Sequence, residues 1–457
     1  MTRDELLSTN SVYKDKIDEW TFNQLAYEGG KKLIEAILIR HPRESSANHA
    51  TRKNDGICYN YTRGVIDIYS FYLTEQHPVR ELGLLKEDPL FKMFETDCDM
   101  QGTNFEHFIN GCQKLASVFG AIGVLVDKHK NKEGTKLAAI NDKVYPYCAP
   151  YTLPNILDWT FTRNERTGRP RLSYLKLKEA NGSITIWTLE SWENWELQDN
   201  AEPVLARGGE LEIKEIPFVW LENIKSITNP QVGMSDITEI ALITASIIRD
   251  ISCGDEVIKY AGFPMLRKPM RTISDNTPDI SGESAVLEFD ADKPDSKPDW
   301  LEAPTKEPIE AITNWINSKI AEIFQAAHLS GVHAHEKSDQ VRSGVAMRYE
   351  FQQLTRVLTK KSVNLNEAEM NIIRLYNLWQ GTTDNDISVT RPNDFSGDDL
   401  TAALESLVTA NGLVSSITFN RQLQKSVVRK TLSDETTDTL DEIYKEIDNS
   451  EIINTEQ

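Results

Sequence analysis

Apolar positions recur at helical spacing in some stretches of this chain and run together or alternate in others. Over residues 18–40, Trp20, Leu25, Leu33, Ile34, Ile37 and Leu38 keep a near-helical period that Gly29 and Gly30 are placed to break in two. The polar residues 41–55 read as a linker or arm, and a second apolar segment, 57–73, follows. Residues 104–119 have the period of an amphipathic helix through Phe105, Phe108, Ile109, Cys112, Leu115 and Val118. They run straight into 121–126, Ala-Ile-Gly-Val-Leu-Val, the pattern of a buried strand. From 144 to 223 the texture changes to short alternating strands. Two of these, 172–178 and 184–189, are expected to form a hairpin through the turn pair Asn181-Gly182. Trp159, Trp187, Trp192, Trp195 and Trp220 fall in or beside this β-rich stretch. Packing of a small β core accounts for them better than a platform for bases or sugars.

At Ser235-Asp236 the pattern becomes helical, with a cap, Glu239 in the first turn, and Ile240, Ile243, Ile247, Ile248 and Ile251 in period; it fades near Cys253-Gly254. Residues 263–304 are rich in proline, glycine and aspartate around one strand-like patch, 285–289, which predicts a compact insert with little core of its own. A helix resumes over 305–327, with Pro308 in its first turn and Ile309, Ile312, Trp315, Ile316, Ile320, Ile323 and Phe324 on its apolar side. Residues 328–342 are a polar loop. Beyond it, 343–381 carries Met347, Phe351, Leu354, Leu358, Leu365, Ile372, Tyr376 and Trp379 in near-helical period, which unbroken would span ~55 Å. A strand at 387–390 and short helices at 398–410, 420–432 and 436–447 complete the pattern, the last of them strongly acidic. No repeat of 20 to 50 residues is present, so solenoids and propellers are excluded.

At 457 residues the chain is long enough for two or three structural units. No apolar run approaches the roughly 18 residues needed to cross a bilayer, and the first residues do not resemble a secretory signal, so maturation in cytoplasm is expected. The five cysteines are scattered and odd in number; they are expected to be reduced and mostly buried. A net charge of -20 argues against a protein that grips nucleic acid over its whole surface, since duplex DNA carries a phosphate charge every ~1.7 Å. Any DNA contact must be local or weak.

Candidate chemistry is sparse. His328, His333 and His335 sit close together but in a loop, without the i, i+4 spacing that presents two imidazoles to one ion. Asp97, Asp99, Gln101 and Gly102 begin like a calcium loop, but the twelfth position is Phe108. Gly29-Gly30-Lys31-Lys32 lacks the spacing of a phosphate-binding loop. There is no Gly-x-Ser-x-Gly elbow, and no carboxylate pair has an apolar setting suited to acid and base work. No enzyme, cofactor or metal is expected. Lys337, Arg342, Lys360 and Lys361 around the loop and long helix are either phosphate contacts or a solvated face, as are Lys425, Arg429 and Lys430.

The order helix, insert, helix, histidine-bearing loop and long helix, from Ser235 to Trp379, resembles the portal proteins of tailed double-stranded DNA bacteriophages. Ile216-Pro-Phe-Val219 leading to Ser235-Asp236-Ile-Thr-Glu239 looks like that family's passage from wing to first stem helix, and Ser343-Gly344-Val-Ala346 like the segment after its tunnel loop. The likeness covers roughly residues 57–432. It implies an α+β, portal-like multidomain subunit with a β-rich wing, helical stem, small α/β clip, long wing helix and short helical crown. The implied division is an N-terminal helix and arm at 1–56, a wing at 57–234 that is strand-rich from 144, and stem helices at 235–262 and 305–327. The clip falls at 263–304, the tunnel loop at 328–342, the long wing helix and strand at 343–395, and the crown and acidic tail at 396–457.

The resemblance further implies a homo-oligomeric ring, typically of twelve copies and roughly 0.6 MDa, at one capsid vertex of a virion, assembled in host cytoplasm. Double-stranded DNA would pass through it, with His333, His335, Lys337 and Arg342 of the tunnel loop and its flank facing the duplex. Arg267, Lys268, Arg271 and Asp275 of the clip would dock the terminase large subunit or a head-tail adaptor. Major capsid and scaffolding proteins are further implied partners, and a membrane is not. The alternatives are a capsid or tail adaptor without a DNA conduit, or a nucleic-acid enzyme lacking local signatures.

Overall fold

The structure is a computed structural model that describes residues 1–75, 77–129, 135–198, 202–262, 265–270, 286–290, 299–301, 306–329, 344–382, 387–391, 395, 416–432 and 437–449. The chain opens with helices α1 (Arg3–Leu7), α2 (Ser11–Glu28), α3 (Gly30–Ile37), α4 (Ser46–Asp55) and α5 (Tyr61–Thr74). Strand β1 (Val79–Glu81), helices α6 (Pro89–Thr96) and α7 (Phe105–Phe119), strand β2 (Ala121–Asp127) and helix α8 (Lys136–Asp142) follow. Next come strands β3 (Tyr147–Thr152), β4 (Ile156–Arg163), β5 (Pro170–Lys178), β6 (Ile184–Thr188), β7 (Ser191–Glu196), β8 (Val204–Glu210) and β9 (Phe218–Glu222). Helix α9 (Thr238–Gly262), strands β10 (Met265–Met270), β11 (Val286–Asp290) and β12 (Asp299–Leu301), and helix α10 (Lys306–Ala326) form the next block. Helix α11 (Gly344–Gln380), strand β13 (Ser388–Thr390), and helices α12 (Ile417–Thr431) and α13 (Thr437–Asn449) complete it. The class is mixed α+β, as expected.

Two compact units divide the chain. The larger takes in residues 1–24, 64–237 and 338–457. Asn104 caps its helix α7 by accepting from the His107 amide at 2.7 Å. Gly120, in the left-handed region at φ 95°, ends that helix and turns the chain directly into β2; a side chain there would press on the Val232 carbonyl oxygen, 2.7 Å away. Strand β2 is the middle of the antiparallel sheet β3-β2-β9. It is buried from Ala121 to Val126, which is why its sequence runs apolar without alternation. Phe91, Phe94, Phe105, Ile109 and Val124 share one core with Leu365, Ile372, Ile373 and Tyr376 of α11. The Tyr376 ring lies 5.1 Å from Phe91 and 5.0 Å from Phe94. Each such side chain contributes about 1.5–3 kcal/mol on burial.

Strands β4 to β8 form a five-stranded antiparallel meander. Trp159 and Trp187 are buried in it, and Trp187 stacks on Trp192 across the β6–β7 pair at 5.9 Å. The tryptophans are packing residues, as their setting predicts. The β5–β6 hairpin forms, but not through a two-residue Asn-Gly turn. The Glu179 carbonyl accepts from the Gly182 amide at 2.9 Å while the Glu179 amide donates to the Ser183 carbonyl at 2.9 Å. Residues 180–182 therefore make a three-residue loop with Gly182 at φ 84°, the glycine-bulge form.

The smaller unit takes in residues 25–63 and 238–337. Gly29, at φ 67°, separates α2 from α3, as the sequence suggests. Residues 41–55 are not simply a linker: α4 forms there although none of its residues is buried. Ser45 caps it through the Asn48 amide, and Arg52 straps it to Glu44 at 2.8 and 2.9 Å. Capping and ion pairing replace apolar period as the reason for this helix. Helix α9 does not fade at Cys253-Gly254 but continues to Gly262: Gly254 lies within it, facing Ile312 of α10, and the last turns are tied to α4 by the Lys259 bond to Asp55 at 2.7 Å. The expected single strand at 285–289 is one of three: β10 pairs in parallel with β11 and antiparallel with β12. β10 escaped notice because Arg267, Lys268 and Pro269 break any alternation. The helix expected at 398–410 lies outside the described residues.

Candidate functional site

Helices α9 and α10 run antiparallel within the smaller unit, because Asp250 meets Lys319 while Gly254 meets Ile312. The Lys319 ammonium bonds the Asp250 carboxylate and the Ser246 hydroxyl at 2.7 Å, and stands 5.0 Å over the Trp315 ring. Their buried stripe, Ile240, Ala241, Ala245, Ile247, Ile248 and Ile323, is that of two ordinary amphipathic helices. Their outer positions are less ordinary. Leu242 is 60% exposed, Ile258 54% and Trp315 60%.

Between the two helices lies the strand insert. Arg267 and Lys268 fall on its middle strand, opposite Leu287 and Glu288 of β11, with Arg267 also opposite Asp299 of β12. The structure thus brings two of the four predicted docking residues onto a sheet with an acidic residue in register beside each. Arg271 and Asp275 lie outside the described residues, as do His333, His335, Lys337 and Arg342. His328 is exposed just past α10 at φ 54°, and among the described residues no cluster of His, Cys, Asp or Glu could hold a metal ion. The carboxylates of Asp97 and Asp99 accept from the amides of Gly102, Gln101 and Thr103, so they close a turn. Cys98, Cys112 and Cys148 are buried, and burial pushes the thiols of all three up; Cys253 is exposed.

Just before α9, the larger unit holds the chain in a polar node. The Ser235 hydroxyl donates to the Val118 carbonyl at 2.7 Å and accepts from the Ile237 amide at 3.1 Å. The Asp236 amide donates to the Ser117 carbonyl at 3.0 Å. The Asp236 carboxylate accepts from Lys361 of α11, whose ammonium also reaches the Asn223 side-chain oxygen at 2.5 Å and lies 5.0 Å over the Tyr69 ring. Lys361 is 3% exposed, so the sequence reading that allowed it a phosphate contact or a solvated face is corrected; Lys360, next to it, is exposed. Burial lowers the Lys361 pKa, and the Asp236 charge opposes that shift.

Eight residues along α11, Glu369 is fully buried. Its carboxylate accepts from Arg80 of β1 and from Arg391 just past β13, and Arg391 also bonds Asn366 at 2.9 Å. Because β1 pairs with β13, one carboxylate ties both strands to the long helix. Burial would raise the Glu369 pKa, but Arg391 and Arg80 outweigh it and hold the carboxyl below its usual range. Near the carboxyl end, Lys425 pairs with Asp448 at 2.7 Å, so part of the ambiguous basic group there is an internal contact.

Sequence reasoning missed Glu369, Arg80 and Arg391, and placed Asp236 at a helix cap without its partner Lys361. A signal for Lys361 and Glu369 was present, since both continue the stripe Leu354, Leu358, Leu365, Ile372, Tyr376 at helical intervals. A charge on a core stripe requires a buried partner.

Among the described residues no helix is long and apolar enough to cross a membrane. No family model matches the chain, and no curated protein matches it. Among solved structures it is similar to a chain of the "Virion of native gene transfer agent (GTA) particle", at 10% identity and a TM-score of 0.43, over 88% of this chain and 98% of that one. It is similar to a chain of the "Neck of empty GTA particle computed with C6 symmetry" at 9% identity and a TM-score of 0.45, over 84% of this chain and 95% of that one. A chain of the "Neck of native GTA particle computed with C12 symmetry" is similar at 9% identity and a TM-score of 0.43, over 84% and 94%.

Proposed function

We propose that this chain is the subunit of a portal ring: a closed homo-oligomer, of twelve copies on the family pattern, through which double-stranded DNA enters and leaves a capsid. The carrying observation is the antiparallel pair α9 and α10, joined through a three-stranded insert, with Leu242, Ile258 and Trp315 left exposed on its outer positions. A single chain gains nothing from that exposure. Copies packed side by side would bury those side chains at about 25 cal/mol per Å² of apolar surface, and a head-to-tail contact of that kind closes when its rotation divides a full turn. The unbroken 37-residue α11 supplies the long wing helix that such a subunit needs. The net charge of -20 suits a channel that must not hold a moving duplex.

On this reading the ring does no chemistry and binds no cofactor. The terminase large subunit and later a head-tail adaptor dock at the insert around Arg267 and Lys268, and the segment containing His333, His335, Lys337 and Arg342 meets the DNA. Capsid and scaffolding proteins surround the ring in the virion.

Light scattering and negative-stain imaging of purified protein test the assembly. Rings with an open centre and a mass of roughly 0.6 MDa are expected. A stable monomer at micromolar concentration overturns the proposal, and a closed oligomer without a hole favours the adaptor alternative. Trp315→Glu should split the rings while leaving helicity unchanged. Deleting residues 333–339 should leave rings intact while packaging, or retention of the packaged DNA in the capsid, fails; unaltered packaging would remove that loop from the mechanism.

A further inference from the structure

The conduit reading leaves the α3 and α4 hairpin without a role, yet its charge runs against that of the whole chain. Residues 30–55 hold six cations, Lys31, Lys32, Arg40, Arg43, Arg52 and Lys53, against three carboxylates, Glu35, Glu44 and Asp55. Two of the carboxylates are already engaged. Arg52 bonds Glu44 at 2.8 and 2.9 Å, and Lys259 of α9 bonds Asp55 at 2.7 Å. That leaves Glu35 alone against five cations, none of them in an ion pair among the described residues. Lys31, Lys32, Arg40 and Arg43 are exposed and Lys53 is half-buried. The Arg40 guanidinium donates to the Glu44 carbonyl at 2.9 Å and the Ser46 hydroxyl at 3.2 Å, which fixes its position without neutralising it.

The makeup of α4 narrows the partner. Its ten residues, Ser-Ala-Asn-His-Ala-Thr-Arg-Lys-Asn-Asp, include nothing apolar larger than alanine, and none is buried. A helix polar all round is not there to serve a core. A protein partner would need a central apolar or aromatic anchor, which α4 lacks; apart from Asp55, already held by Lys259, it presents cations and hydrogen-bonding groups. Those are the groups that contact phosphate and sugar. The spacing is also suitable. Lys31 and Lys32 open α3 while Arg40 and Arg43 follow its end, so the two pairs stand about one helix length apart, roughly 12 Å, or between three and four base pairs of a duplex. The Arg52 bond to the Ile39 carbonyl at 2.9 Å brings the last turn of α4, with Lys53, beside the Arg40 end.

We propose that the α3 and α4 hairpin binds the phosphate backbone of double-stranded DNA without sequence preference, as a contact separate from the tunnel loop. A local surface of this kind is what the acidity of the rest of the chain permits: at a physiological Debye length of about 8 Å, distant carboxylates are screened from a phosphate resting on these side chains.

The test is fluorescence anisotropy of a labelled duplex of random sequence, titrated with the full chain from 50 to 200 mM salt. Four phosphate contacts predict that wild-type affinity falls about 150-fold across that range. The variant Lys31→Gln, Lys32→Gln, Arg43→Gln, Lys53→Gln leaves the Arg52–Glu44 strap and the Ser45 cap in place, and circular dichroism checks that it folds. It should bind at least tenfold more weakly at 50 mM salt and lose most of the salt dependence. Unchanged affinity and slope in that variant overturn the proposal, as does absence of binding by wild type at 50 mM salt. A polyglutamate peptide that binds where duplex DNA does not would assign the surface to an acidic protein and equally overturn it. The variant lacking residues 333–339 separates the two DNA contacts: binding retained supports the hairpin, and binding lost overturns it. Failure of ring assembly would refute the conduit reading and leave this result standing.

Discussion

Replacing Glu369 by glutamine keeps the volume and one hydrogen-bond acceptor but removes the negative charge from between two guanidinium groups that are 14% and 4% exposed. At an effective dielectric of 20, each contact pair is worth about 4 kcal/mol of attraction, so the carboxylate gains about 8 kcal/mol against a burial penalty of several. Taking it away leaves Arg80 and Arg391 buried without a counter-charge in contact; Glu106, 3.8 Å from Arg80 and 30% exposed, compensates little. The expected loss is about 3–5 kcal/mol, the range for breaking a buried pair by removing one partner. In a unit of this size that lowers Tm by roughly 10 °C, read by calorimetry, with a matching drop in urea midpoint. A second variant sharpens the result. Glu369→Met with Arg80→Met and Arg391→Met removes all three charges at once and should recover most of the stability, because no ion is then left unpaired. The acid limb provides the sign. A carboxyl held below its unfolded pKa of about 4.3 stabilises fully above that pH and loses its contribution as pH falls through the lower folded value. The stability difference between wild type and Glu369→Gln should therefore be flat above about pH 5 and shrink below pH 4.3. A Glu369→Gln variant within 1 kcal/mol of wild type, or a triple variant less stable than the single one, would refute this reasoning.

Lys361→Met strands Asp236 in the core and should cost about 3–5 kcal/mol, while Lys361→Met with Asp236→Leu should cost clearly less than the two changes summed, a coupling above 1 kcal/mol in a double-mutant cycle. Gly123→Ala puts a carbon 1.8 Å from the Phe218 ring in the central strand β2; a loss of about 1–3 kcal/mol by urea unfolding is expected, partly restored by Phe218→Leu. Arg52 holds the Glu44 carboxyl down at about 2, so the strap on α4 is complete above pH 4.3 and lost as pH approaches 2. Protection of the amides of residues 46–55, measured relative to their intrinsic exchange rate at each pH, should fall across that window and stay level above it, and Glu44→Gln should be weakly protected throughout.

Elements whose cause is local could be read from the sequence. The period over 343–381 predicted α11 to within two residues, and the glycine pair at 29–30 marked the end of α2. The apolar run 121–126 marked β2, because burial on both faces leaves no polar position to alternate. Elements whose cause is not local were missed. α4 has no apolar period and stands on a cap and a strap. β1 is three residues long and is a strand only because it pairs with β13, more than 300 positions away in the chain. β10 is ordered by strands on either side of it in space, one of them 20 residues further on.

The charged residues of α11 show where that limit lies. Lys360 and Lys361 are neighbours with the same chemistry, and one faces water while the other is inside. Their positions on the stripe separate them: counting from Leu354 and Leu358 by three or four reaches Lys361, then Leu365, Glu369, Ile372 and Tyr376, and never Lys360. The stripe therefore assigns burial, and burial demands an opposite charge. What the stripe cannot assign is the partner, because Asp236 is 125 residues from Lys361 and Arg80 is 289 residues from Glu369, with 70 acidic and 50 basic residues to choose among. Both partners nonetheless sit at informative places, Asp236 two residues before the first turn of α9 and Arg80 in the middle of β1. The long helix spends its two buried charges on the segment that leads into α9 and on a short strand with few apolar contacts of its own. Apolar packing is non-directional and would let either segment slide along α11, whereas an ion pair fixes each at one residue.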